Sequence, residues 1–160
     1  GGTLSFFFHL GRATFRELVQ ARLILEPVMA RLAAESNDAA IKARLEEVLT
    51  REASAALEDA EYIARANDFH YTVSGMSGNR ILDLIGRALK DLFTDRVSER
   101  GLVPPEARPA IRRAHRQIGD AILSGNAKRA ESLMRKHMDE YVHFVELRQP
   151  ALLDEIVSWG

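Results

Sequence analysis

Apolar residues recur at three- and four-residue steps along nearly the whole chain, and Gly, Pro and Asn mark the places where that rhythm breaks. A 3.6-residue period buries one stripe of each helix, whereas a half-buried strand needs strict alternation, and no such run occurs. Thr14 precedes the first periodic stretch with Glu17 three residues on, the spacing of a capping box. Leu18, Ala21, Leu25, Val28 and Leu32 follow as the expected buried stripe. Pro27 lies inside this helix and removes one backbone bond, so a kink is expected there.

Asn37-Asp38 can cap a second helix, over roughly 38–53, with Ile41, Leu45, Val48 and Leu49 on one face. A third helix is expected from near Ala55 to Val73, where Ser74-Gly75 stops it. The tripeptide Ser77-Gly78-Asn79 resets the chain, with Asn79 as cap of a fourth helix. That helix carries Ile81, Leu84, Ile85, Ala88, Leu89, Leu92 and Phe93, and ends near Gly101, before Pro104-Pro105. A fifth runs from about Glu106 to Leu123, with Pro109 tolerable in its first turn. The second Ser-Gly-Asn, at 124–126, separates it from a sixth that reaches about Leu147, before Pro150. A short terminal helix can follow. The fold class is all-α, an antiparallel bundle of six or seven helices, with residues 1–13 as a linker or the stub of an upstream domain and 14–160 as the folded unit.

Composition narrows the function classes. With 22 basic and 23 acidic residues the formal net charge is −1, without the basic excess usual in a DNA-binding domain. Cysteine is absent, which excludes disulfides, thiolate zinc sites and cysteine nucleophiles, and suits a reducing cytoplasm. No apolar run approaches the roughly 20 residues that span a bilayer.

Five histidines occur, at 9, 70, 115, 137 and 143, and any single one is more often structural than a ligand. Spacing singles out three. His115 lies ten residues before Gly125 and His137 eleven after Asn126, so each sits about 15 Å from the turn of a helical hairpin. They are level and can face each other. His70 lies five residues before its own turn at Gly75, on a third helix. Imidazoles from separate helices of a bundle core suit a transition metal such as zinc or nickel. Three of them leave coordination positions open. His143 points elsewhere, about 240° around the helix from His137, and His9 precedes the helical region. The residues three before these histidines are Asn67, Arg112 and Met134, so the Glu-x-x-His pairs of a di-metal enzyme are missing. HExxH, Gly-rich phosphate loops and G-x-S-x-G are also absent.

Several segments resemble one family. Glu17-Leu18-Val19-Gln20-Ala21-Arg22 through Glu26-Pro27, with Ala30-Arg31-Leu32-Ala33-Ala34, is similar to the first helix of the FCD domain of GntR-type transcription regulators. Phe69-His70 with Ser77-Gly78-Asn79, then His115 through Ile122, Ala130, Met134 and His137, resemble later stretches in the same order. The likeness covers roughly residues 14–145, nearly the whole chain.

The resemblance implies a homodimeric domain that binds a small effector, commonly an organic or sugar acid, in the bundle centre. It further implies a divalent metal held by one Asp and three His, with the effector's carboxylate completing the shell. His70, His115 and His137 match the histidines, but Ala66 stands at the aspartate's place and Asn67, one residue on, could supply an amide oxygen. Asp68 matches no ligand position. Arg22 is the candidate grip on an effector carboxylate, the alternative being an ordinary pair with Glu26 at i+4. Asn79 is either a helix cap or an effector contact, and Tyr141 lines the pocket or belongs to the core. DNA would be reached only through a winged helix-turn-helix domain that is not in this chain. The alternatives are a metal-dependent helical-bundle enzyme using the three histidines, or a metal-free helical interaction module.

Overall fold

Thr14 caps the first helix as its spacing with Glu17 predicts. In the computed structural model its hydroxyl accepts from Glu17 N at 3.3 Å, and Glu17 Oε2 accepts from Thr14 N at 2.7 Å. The structure describes residues 12–53, 59–100 and 103–157. Helix α1 (Phe15–Glu35) is followed by α2 (Ala39–Ala53), α3 (Asp59–Gly75), α4 (Arg80–Arg100), α5 (Arg108–Leu123) and α6 (Ala127–Arg148). Two 3-10 turns, Pro105–Ala107 and Pro150–Asp154, stand where the sequence predicts the start of the fifth helix and a terminal helix. Among the described residues there is no strand, only an isolated bridge between Thr14 and Ile156. That bridge clasps the two ends, with Val157 N donating to Ala13 O at 2.8 Å.

The turns follow from their residues. Gly78 and Gly125 have φ of 69° and 73°, the left-handed region that glycine adopts without a Cβ penalty. The Asn after each glycine then caps the next helix. Asn79 Oδ1 accepts from Ile81 N at 2.9 Å, and Asn126 Oδ1 from Arg129 N at 3.2 Å. Short turns of this kind make α3–α4 and α5–α6 antiparallel hairpins, and α1 packs against α3, α4, α5 and α6.

The buried face of α1 is not the one the apolar count predicts. Ala21, Leu25, Val28 and Leu32 are only partly buried, while Phe15, Leu18, Val19, Arg22, Glu26, Pro27, Met29, Ala30, Ala33 and Ala34 are buried. The true stripe runs one position over because two of its members are charged. On α4, Ile81 and Leu84 are exposed, and the buried face begins further along, with Ala88, Leu89, Leu92 and Phe93. Helix α1 continues on both sides of Pro27.

Two apolar cores result. One gathers Met29, Ala30, Ala33, Leu45, Leu49, Phe69, Val73, Ile118, Ile122 and Met134 at the α5–α6 turn end. The other gathers Phe15, Leu18, Val19, Ile63, Leu89, Phe93, Val145 and Leu152 near the chain ends. Between them, at the middle of the bundle, lies a layer of ionisable side chains.

Candidate metal and effector site

Each helix delivers its site residue from a core-facing position. His70 follows Phe69 on α3, His115 lies one turn before Ile118 on α5, and His137 lies between Met134 and Met138 on α6. The three rings converge: one ligand nitrogen from each lies within 4.8 Å of the others. His115 Nε2 and His137 Nε2 are 3.1 Å apart, as the hairpin spacing predicts. Phe69 stacks on His115 with centroids 4.3 Å apart and closes that side.

Two carboxylates set the orientation of the rings. His70 Nδ1 donates to Glu26 Oε2 at 2.5 Å, and His115 Nδ1 meets both Glu52 oxygens at 2.8 Å. A carboxylate accepts the Nδ1 proton and thereby leaves the Nε2 lone pair free. Both lone pairs are then available to a shared ion, the carboxylate–histidine–metal arrangement common in metalloproteins. Burial lowers the pKa of His70, and Glu26 only partly offsets it. His137 is pushed down further, first by burial and then by its two histidine neighbours. Neutral imidazoles are the form a metal requires.

Neither carboxylate was among the candidates read from sequence, although Glu26 was noted as a partner for Arg22. The signal for both is positional. Glu26 falls on the buried stripe of α1, and Glu52 follows Leu45, Val48 and Leu49 at helical spacing on the buried face of α2. A charged residue at a core position needs a partner, and each of these has a histidine.

Arg22 is 3% exposed; its Nε meets Glu26 Oε1 at 2.5 Å, and its guanidinium lies 3.8 Å from the Phe93 ring centre. The i+4 pair therefore exists, but it is buried. Burial alone would raise the Glu26 pKa; the Arg22 charge and the hydrogen bonds from His70 and Arg22 outweigh it and hold the carboxyl well below the usual range. Glu26 thus links Arg22 to His70 as a fixed anion.

A cavity of about 220 Å³ opens beside this layer, lined at its polar end by Arg22, Asn67, the three histidines and Tyr141. The Tyr141 hydroxyl is buried with no hydrogen-bond partner, and burial raises its pKa. Asn67 donates through Nδ2 to Thr94 Oγ1 at 3.0 Å, so its amide oxygen is the end left over. Ala66 lines the cavity too. Asp68 turns away and pairs with Lys90 at 2.6 Å. Asn79 is not brought to the site; it caps α4 and borders a separate surface hollow with Arg44 and Arg87. His143 is exposed, and His9 lies outside the described residues.

The bundle brings one buried and two partly buried histidines to the wall of a partly open cavity, a concave site of the kind that binds small ligands. The FCD domain model matches residues 17–140. The chain belongs to the FCD domain family, found in GntR-type regulators. Among solved structures, Streptococcus agalactiae GntR shares the fold, with a TM-score of 0.67 at 23% identity. The alignment covers 80% of this chain and 57% of that one, so the chain spans little more than half of that protein. A search of curated proteins finds no match. Among the described residues no helix is long and apolar enough to cross a membrane.

Proposed function

We propose that this chain is the effector-sensing and dimerisation domain of a bacterial GntR-type transcription regulator. It binds a small organic acid in the central cavity, beside a divalent metal held by His70, His115 and His137. The observation that carries this reading is the convergence of three imidazoles from three helices on the wall of one central cavity. Zinc or nickel suits such a donor set. A metal there supplies Lewis acidity that draws a carboxylate into its open positions. Ala66 has no side chain beyond its methyl, which leaves that side of the cavity accessible to the acid. Arg22 and Tyr141 stand where they can hold the carboxylate.

Helix α1 carries Arg22 and Glu26 and packs against four other helices. An acid that engages Arg22 therefore acts on the helix best connected to the rest of the bundle. Differential affinity for two bundle arrangements would shift a homodimer between states, and so the winged helix-turn-helix heads of the whole regulator. The setting is the bacterial cytoplasm. An enzymatic role is disfavoured because Glu26 and Glu52, the carboxylates touching the histidines, are both committed to imidazole nitrogens.

Metal analysis of the purified chain, with melting curves in zinc and nickel, tests the site. One ion per chain and a raised melting temperature are expected. His137→Ala is expected to weaken the metal by at least the ~10–100-fold typical of outer-shell changes. Full metal content in both His115→Ala and His137→Ala would refute the site. Metal-dependent turnover with no stabilising acid would replace the sensor with an enzyme.

A further inference from the structure

Resting on the sensor reading, we infer that the effector is a monocarboxylic acid with a compact apolar body, aromatic or branched aliphatic, and not a sugar acid. The cavity is strongly polarised. Its hydrogen-bonding groups gather at one end, around Arg22, the histidines and the unpartnered Tyr141 hydroxyl. Apart from the exposed Glu140 the rest of the lining is apolar, with Ile63, Phe93, Val103, Ile111, Met138 and Phe144 its largest side chains. A carboxylate fits the first region, where the Arg22 cation and a buried hydroxyl favour negative charge, as would a metal held by the three histidines. A chain of hydroxyls does not fit the second. Most would leave water and meet carbon, a loss that the one carboxylate of Glu140 cannot offset for a whole chain of hydroxyls.

Size and charge restrict the body further. An apolar cavity of about 150 Å³ is known to hold benzene. The 220 Å³ here accommodates one ring, or a branched chain of similar size, together with a carboxylate. Asn67 spends one of its two amide donors on Thr94, so one N–H and the amide oxygen remain, enough for a single polar group and not for a polyol chain. Glu140, also on the lining, is exposed and lies 3.8 Å from Lys136. Its negative charge at the rim disfavours a second carboxylate.

Calorimetric titration of the whole chain, with and without zinc, against benzoate, phenylacetate, 4-methylpentanoate, gluconate and citrate tests the inference. At least one of the first three is expected to bind ten-fold or more tightly than the last two. Ile111→Ser should weaken that acid by about 10-fold or more, with zinc affinity unchanged. Phe144→Ser probes the same wall should the first variant fail to fold. Tighter binding of gluconate or citrate overturns the apolar-acid inference and leaves the sensor intact. Binding of an apolar acid that neither wall substitution affects also overturns it, by locating the acid elsewhere. If zinc binds and none of the five acids does, the sensor reading fails and takes the inference with it.

Discussion

The core at the α5–α6 turn end is rich in small residues and methionines beside its branched aliphatics, with Ala30, Ala33, Ala121 and Ala130 letting helices approach and Met29, Met76 and Met134 filling the gaps. At Gly119 the approach is so close that an added Cβ would meet Leu49 Cδ1 at 2.4 Å. The core near the chain ends is aromatic by contrast. Phe15 and Phe93 stack with centroids 6.0 Å apart, and Tyr141 meets Phe93 edge-on at 5.2 Å. Large rings on that side, together with the ionisable layer they face, frame the cavity and do not fill it. The first core can be dense because it has nothing to admit. The second gives up packing for a space in which a ligand can sit.

This contrast predicts where stability and binding part company. Ile122 is fully buried in the dense core, two turns beyond His115 on α5. Ile122→Ala should lower unfolding free energy by about 2–5 kcal/mol, since a close-packed site relaxes little around a cavity. Zinc affinity of the folded protein should stay within about two-fold, because the two sites are independent. Urea denaturation and metal titration on the same sample check both halves. A large loss of metal affinity would mean that the dense core also holds the histidines in register.

The ionisable layer should behave in the opposite way. Glu52 is as buried as His115 and touches it through both oxygens. Glu52→Gln keeps the volume but removes the charge that fixes the imidazole tautomer. Metal affinity should fall about 10–100-fold, or about 1.4–2.7 kcal/mol, with the fold retained by circular dichroism. Glu26→Gln should give a comparable loss and additionally leave Arg22 without its buried counter-ion. Unchanged metal affinity in both would show that the carboxylates serve folding alone.

Much of the architecture was legible because local chemistry and global fold agree. Thr14 with Glu17, and the two Ser-Gly-Asn turns, announce helix boundaries through capping and left-handed glycine, which depend on neighbours in sequence only. The facing of His115 and His137 followed from nearly equal distances to one turn. Glu26 and Glu52 escaped for the opposite reason. Apolar counting assigns core positions to apolar residues, so it passes over charged groups that are buried because a partner on another helix awaits them. On α1 that error displaced the stripe by one position everywhere beyond Leu18. The pairing of Glu52 with His115 spans two helices, and only the packed bundle reveals it. The polarised cavity was invisible for the same reason, since its wall draws on α3, α4, α5, α6 and the turn at Val103.

Asn79 gives the smallest and cleanest test of where the site ends. The sequence allows it either role, and its side chain accepts from two amides at the start of α4. An exposed N-cap of this kind is worth about 0.5–2 kcal/mol, and Asn79→Ala should cost that much in denaturant unfolding. Because Asn79 lies outside the cavity lining, neither zinc affinity nor the affinity for any stabilising acid should move. Asn79→Asp should recover most of the lost stability, since aspartate caps about as well and its charge suits a helix N-terminus. If Asn79→Ala instead weakened acid binding with little effect on stability, the hollow beside Arg44 and Arg87 would become the effector site. The histidine layer would then be left to the metal alone.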